Sequence, residues 1–117
     1  MGQLTTHVLD ISAGRPAAAV RIELSECMPE GVRLLLATVT GPDGRVAAPL
    51  LSGALFKTGS YVLTFHTAEY FRAQGVQLPH PAFIEQASIR IGIADTQQHY
   101  HVPLLIAPWS YSVYRGG

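Results

Sequence analysis

The sequence has little charge, a single cysteine and no long apolar run, and each scarcity excludes a class of protein. Eight of the 117 residues are Lys or Arg and eight are Asp or Glu, so the formal net charge is zero. A chain without a basic excess does not attract nucleic-acid phosphates or an anionic membrane surface. No apolar run approaches the roughly 20 residues of a membrane-spanning helix. The sequence therefore predicts no nucleic-acid partner and no membrane partner.

The lone cysteine, Cys27, cannot form a disulfide within the chain. Disulfides persist in oxidising compartments, so a chain without them is typical of a reducing one. The first seven residues, MGQLTTH, also lack the charged and apolar regions of a signal peptide. We therefore expect a cytoplasmic protein.

The remaining composition is that of one globular domain spanning residues 1–117. Hydrophobic residues make up 48% of the chain and charged residues 14%, which lies outside the range of disordered proteins. A chain of this length is of ordinary single-domain size and buries about 65% of its unfolded surface. That burial is enough for a core that needs neither disulfides nor a metal.

Short strand-like segments separated by glycine and proline recur along the chain, which is typical of an all-β sandwich. The predicted strands span residues 4–12, 20–27, 33–40, 46–53, 61–66, 87–93, 99–107 and 110–114. The fourth is expected to be a short edge strand, because Pro49 interrupts it. One segment, 67–74, is predicted to be helical, with Thr67 as its N-cap and Gly75 as its stop.

The segment Val102–Ala107 is apolar at every position. The outer faces of a two-layer sandwich are expected to be polar. A strand that is apolar on both faces needs a further covering layer, which in a small domain is another subunit. We therefore expect an oligomer with this strand at an interface.

Two histidines stand two residues apart near the C-terminus, and side chains at this spacing share one face of a strand. His99 and His101 are thus predicted to project side by side. Three interpretations fit: structural or exposed histidines, two ligands of a zinc site, or an acid–base pair in which one neutral imidazole is a general base toward water. No spacing indicates further zinc ligands. The histidine pair is therefore the one feature that favours a metal-dependent protein.

Other candidates lie far apart in the chain. The segment after the two histidines can fold back antiparallel and bring Tyr114 and Arg115 near them. His7 lies mid-strand and is either a structural histidine or a site residue. Arg45 follows a tight turn, where it is either a solvated rim arginine or a group that binds a planar polar or anionic ligand. Arg115 is near the terminus and could instead pair with a carboxylate.

Six stretches of the chain resemble the 5-hydroxyisourate hydrolases, the transthyretin-related enzymes of urate breakdown. They are LTTHVLD (4–10), GRPA (14–17), DGR (43–45), FHTAEYF (65–71), HYHVPLL (99–105) and YSVYRG (111–116). They cover both ends and the middle of the chain, so the resemblance is full length. The tail motif is specific, because the transthyretin hormone carriers share the fold but lack it.

The resemblance implies a single transthyretin-like domain, a sandwich of two four-stranded sheets with one short α-helix. It also implies a homotetramer, a dimer of dimers whose active sites lie in the channel between dimers. The implied reaction is the ring-opening hydrolysis of 5-hydroxyisourate to 2-oxo-4-hydroxy-4-carboxy-5-ureidoimidazoline, with neither a cofactor nor a metal.

By motif match, the resemblance assigns catalysis to His7, Arg45 and His101. One histidine would orient or deprotonate the attacking water, and which one is left open. Arg45 would hold the substrate's carbonyl oxygens and stabilise developing negative charge. The other expected substrate-binding residues are the lower-ranked neighbour His99 and the pocket-lining Tyr114, Arg115 and Gly116.

The chain departs from the family at its last position, where Gly117 stands in place of the usual serine. Any role of a seryl hydroxyl is therefore absent, and we expect activity to survive at a reduced rate. The alternative is a transthyretin-like carrier of small molecules that keeps the channel but not the chemistry. Gly117 slightly favours the carrier, whereas the set of His7, Arg45 and His101 favours the enzyme.

Overall fold

Alternation of buried and half-exposed side chains organises the first strand, β1 (Leu4–Asp10), whose even-numbered residues are buried. The structure, a computed structural model, describes residues 1–116. The other strands are β2 (Arg15–Pro16), β3 (Arg21–Met28), β4 (Gly31–Val39), β5 (Gly59–Phe65), β6 (Ala87–Ile93), β7 (Tyr100–Ala107) and β8 (Ser110–Val113). The helices are α1 (Thr67–Ala73) and a 3-10 turn, Gly53–Leu55.

The strands form two four-stranded sheets, in the orders β2-β1-β7-β8 and β4-β3-β5-β6. All strand pairs are antiparallel except β1 with β7, which run parallel. The core lies between the sheets, and its fully buried side chains come from both: Leu4, Val8, Leu104 and Ile106 from one, Ile22, Leu24, Leu63 and Phe65 from the other. The predicted all-β, two-sheet sandwich with one short helix is confirmed.

Helix α1 is held against the sandwich by Tyr70 and Phe71, which are 3% and 1% exposed. Gly75, with φ of +88°, follows its C-terminal residues, as predicted. The predicted N-cap is wrong. Thr67 is the first helical residue and its side chain is buried, while His66 occupies the N-cap without a side-chain capping bond. No helix in the described part of the chain combines the length and apolar character needed to traverse a bilayer.

Seven of the eight predicted strands are found, with ends within two residues of those expected. The predicted strand at 46–53 is wrong. Within this segment only Leu51 forms a bridge to β1, with Leu4, and Arg45 just before the segment forms another with His7. Pro49 lacks the N–H that a ladder requires, so the segment crosses the sheet edge without joining it. The two-residue strand β2 was not predicted, because its pattern is too short to recognise.

Strand β7 carries apolar side chains on both faces, as predicted. Val102, Leu104 and Ile106 face the core and are at most 5% exposed. Leu105 and Ala107 lie on the outer face, where they are only partly covered. That a second subunit covers this face stays a prediction.

Candidate active site

The candidate site lies on the outer face of the β1–β7 pair. The parallel register sets Thr5 opposite His101 and His7 opposite Pro103. Because alternate residues of a strand share a face, Thr5, His7 and His101 all project to the same side. His7 Nδ1 lies 2.7 Å from His101 Nε2, and His101 Nδ1 lies 2.7 Å from Thr5 Oγ1. The two imidazoles and the hydroxyl thus form one continuous hydrogen-bonded chain.

A tight turn brings Arg45 beside this chain. Val8 donates its N–H to the Gly44 carbonyl at 2.9 Å, and His7 and Arg45 form an isolated antiparallel bridge. Gly44 has φ of +76°, and a Cβ there would lie 2.4 Å from the Val8 carbonyl oxygen. Only glycine permits this approach. Asp43 accepts the Arg45 N–H at 2.9 Å and stabilises the turn.

The surroundings of both histidines favour their neutral forms. Partial burial lowers the pKa of His7, and the nearby His101 and the Arg45 charge lower it further. Burial and the Arg45 charge likewise lower the pKa of His101. Two neutral imidazoles in contact present one bare nitrogen each, so the pair can accept a proton near neutral pH.

The C-terminal tail folds back antiparallel, as predicted, and closes one side of the site. Gly116 forms an isolated antiparallel β-bridge with His101 and donates its N–H to the His101 carbonyl at 2.7 Å. A Cβ on Gly116 would lie 2.9 Å from His101 Cδ2. The glycine therefore lets the tail backbone pack directly against the His101 imidazole. Gly117 lies outside the described residues.

The folded-back tail brings Arg115 to the backbone of His99, and Arg115 and Tyr114 both line a cavity. The Arg115 guanidinium lies 4.1 Å from the centroid of the Tyr100 ring and donates to Gln98 Oε1 and the His99 carbonyl, each at 2.9 Å. Arg115 and Tyr114 line a cavity of about 470 Å³ at the open side of the sandwich, between β6 and β8. Among the described residues, Arg115 therefore contacts neither the His7 ring nor the His101 ring.

The side-by-side projection of His99 and His101 stays a prediction, and no hydrogen bond of the described residues joins the two rings. Strand β7 begins at Tyr100, and His99 lies before it with an exposed side chain. The ring partners of His101 are Thr5 and His7 instead.

Within residues 1–116, no three His, Cys, Asp or Glu side chains cluster closely enough to hold a metal ion. Cys27 lies on β3, in the opposite sheet from the histidine pair. Among the described residues, the zinc interpretation therefore finds no set of ligands.

Thr5 is the site residue that the sequence reasoning missed. The available signal was its spacing from His7, since residues two apart on β1 share a face. Next to Thr5 and Arg45 is a cavity of about 240 Å³ between β1 and the segment 45–49. The site therefore offers a small space lined by Thr5 and Arg45, beside the two imidazoles.

Comparison with known proteins finds relatives of this sequence and fold. The 5-hydroxyisourate hydrolase 2 of Rhizobium meliloti is 52% identical over 98% of this chain and 96% of its own length. The solved 5-hydroxyisourate hydrolase of Klebsiella pneumoniae is 38% identical with a TM-score of 0.82, and each chain covers 100% of the other. The sea bream transthyretin crystallised with thyroxine is 27% identical with a TM-score of 0.87, over 97% of this chain and 94% of that one.

The family model described as HIUase/Transthyretin matches residues 4–116. The match spans both strands of the histidine pair, the turn that carries Arg45 and the tail up to Gly116. The chain belongs to the HIUase/Transthyretin family.

Proposed function

We propose that this protein hydrolyses 5-hydroxyisourate, opening a cyclic amide of the substrate to give 2-oxo-4-hydroxy-4-carboxy-5-ureidoimidazoline. The observation that carries the proposal is the contact between His7 Nδ1 and His101 Nε2 beside Arg45. A carrier needs no neutral imidazole placed to take a proton, whereas activation of water by a general base does. The relatives named 5-hydroxyisourate hydrolase support the choice of substrate.

The hydrogen bonds favour His7 as the base. Both ring nitrogens of His101 have partners, Thr5 and His7, whereas His7 uses only Nδ1 within residues 1–116. His7 Nε2 is therefore the nitrogen that can receive a proton from water. Partial burial and the neighbouring positive charge lower the His7 pKa, which keeps this nitrogen unprotonated at neutral pH.

The reaction then balances without any further reactant. The water oxygen adds to the amide carbonyl carbon while its proton moves to His7 Nε2. The carbon–nitrogen bond breaks, and the proton returns to the departing nitrogen. Because only water is added and no electrons are transferred, the reaction needs no redox cofactor, and we propose that it uses neither a metal nor another cofactor.

Arg45 has two roles in this proposal. Its guanidinium would bind the carbonyl oxygen that becomes negative when water adds, which stabilises the transition state more than the ground state. Its charge also lowers the pKa of both histidines. Arg45 would thus stabilise both the developing oxyanion and the neutral form of the base. Gly116 supports the site by letting the tail pack against His101.

We further propose that the protein is a homotetramer, a dimer of dimers. Strands β6 and β8 are unpaired sheet edges, and the cavity between them is lined by Ile89, Ile91 and Val113. The outer face of β7 adds the partly exposed Leu105. Two such surfaces on one chain can form two different interfaces, which is what a dimer of dimers requires. Light scattering that shows a monomer at micromolar concentration would contradict the assembly.

The lone Cys27 agrees with a reducing compartment, and we propose the cytoplasm as its location. His99, Tyr114 and Arg115 stay candidates for contact with substrate in the assembled channel. Their test is whether alanine variants raise KM.

The test of the function is direct. Urate oxidase generates 5-hydroxyisourate in the cuvette, and its ultraviolet absorbance is followed with and without the protein. The proposal predicts accelerated decay that a chelator does not inhibit.

His101→Asn and Arg45→Ala should each slow turnover by about 100-fold or more. The matched control is His80→Asn, which changes an exposed loop histidine outside the site. Decay at the spontaneous rate with wild-type protein would contradict the proposal, and would leave the carrier as the alternative.

A further inference from the structure

Thr5 makes a hydrogen bond that the usual role of a strand threonine does not require. Threonine is common in strands because its branched side chain suits a pleated surface. Its neighbour Thr6 is buried and donates its hydroxyl to the Val102 carbonyl at 2.6 Å, a purely structural contact. Thr5 lies on the opposite face, and its Oγ1 lies 2.7 Å from His101 Nδ1. Of the two, only Thr5 contacts the histidine pair.

The contact constrains where the protons of the pair reside. For His7 Nε2 to be bare, His7 must carry its proton on Nδ1 and donate it to His101 Nε2. His101 must then carry its own proton on Nδ1, the nitrogen that faces Thr5. A hydroxyl can accept this N–H, and in general the partner of one imidazole nitrogen determines which nitrogen is protonated. The same hydroxyl can also donate when the protons shift in the reverse direction.

The backbone makes Thr5 suited to this task. It lies directly opposite His101 in the parallel ladder, and two residues from His7 on the same face. A β-branched side chain has a restricted χ1, so the hydroxyl is held in place at little entropic cost. The imidazole of His101 is therefore fixed at both nitrogens by two residues of one strand.

We propose that Thr5 is a positioning residue, whose hydroxyl accepts the Nδ1–H of His101 and so presents a bare Nε2 to His7. The role rests on the proposed hydrolase function, because it matters only if His7 acts as a base. Thr5 touches neither the substrate nor the water in this proposal. It acts through His101, by setting the tautomer and the ring orientation.

The experiment compares Thr5→Val, Thr5→Ser and the control Thr6→Val in the full chain. Valine keeps the branched shape of Thr5 but removes the oxygen, whereas serine keeps the oxygen. The first readout is nitrogen NMR of histidine-labelled protein at pH 8, where protonated and bare ring nitrogens have well-separated shifts. This readout needs no substrate, so it tests Thr5 even if the wild-type protein does not hydrolyse 5-hydroxyisourate. The second readout is kcat and KM.

The expected result has three parts. Thr5→Val moves the His101 Nδ1 signal away from the protonated position and lowers kcat by about 10- to 100-fold with little change in KM. Thr5→Ser restores both the signal and most of kcat. Thr6→Val lowers the melting temperature but leaves the His101 nitrogens unchanged. Unchanged His101 signals in folded Thr5→Val would overturn the proposal, as would equal effects of Thr5→Val and Thr6→Val or a failure of serine to restore the signal.

Discussion

Substitution of Gly44 by alanine should separate Arg45 from the histidine pair. The added Cβ would lie 2.4 Å from the Val8 carbonyl oxygen, whereas ordinary contacts begin near 3.4 Å. The turn must therefore move about 1 Å away from β1 to relieve the clash, and a displacement of 1 Å at a site can cost 100-fold in rate. Because Arg45 follows Gly44 directly, the displacement acts on its bridge to His7.

Gly14→Ala is the matched control. Gly14 has φ of +68°, close to the +76° of Gly44, but no atom lies within 4 Å of a Cβ built there. Both substitutions place alanine in the left-handed region, at a cost of about 1–2 kcal/mol. Only Gly44→Ala adds the backbone clash. Gly44→Ala should therefore lose about 1–2 kcal/mol more of the free energy of unfolding than the control.

The assays are urea unfolding for stability and the decay of 5-hydroxyisourate for activity. Gly14→Ala should keep wild-type kcat/KM within about twofold, and Gly44→Ala should lose about 100-fold. Equal losses of stability in the two variants would refute the close approach of the turn to β1. A stable Gly44→Ala variant with wild-type activity would refute the need for Arg45 beside His7.

Three other predictions concern titratable groups. Burial, then the nearby His101 and then the Arg45 charge lower the pKa of His7. The acid limb of kcat/KM should therefore have its midpoint below 6.5, and Arg45→Met should move that midpoint to higher pH. Since the unfolded chain binds these protons more tightly, acidification through pH 6.5 should also lower the free energy of unfolding, by less in the Arg45→Met variant. Tyr70→Phe removes a 2.8 Å bond from a buried hydroxyl to the buried Asp10 carboxylate and should cost about 1.5–3 kcal/mol in urea unfolding, with unchanged kcat/KM.

Most of the sandwich could be predicted from local patterns. Strands such as β3 and β5 alternate buried and half-exposed residues, and that period is visible in the sequence itself. The segment 46–53 was mistaken for a strand because short apolar stretches with proline look alike in strands and in loops that cross a sheet edge. Its contacts to β1 come from residues about 40 positions away, which no local pattern encodes.

The site could be predicted only in part, for a similar reason. His7 and His101 are 94 residues apart, and their contact depends on the parallel pairing of β1 with β7. The resemblance to a family supplied both histidines, whereas local spacing pointed to His99, which is not a hydrogen-bond partner of the His101 ring. Thr5 was missed because a threonine in a strand carries no chemical signal until its opposite residue in the ladder is known. The position of Arg115 depends on a contact with Tyr100 across the tail, which spacing does not show.

The central claim is that His7 and His101 act as one unit in hydrolysis. Its most direct test is kcat/KM for 5-hydroxyisourate in His7→Asn, His101→Asn and the double variant. Residues that act as a unit give grossly non-additive losses. We predict that the double variant is no more than about threefold slower than the slower single variant. Losses that multiply in the double variant would show two independent contributions and contradict the account.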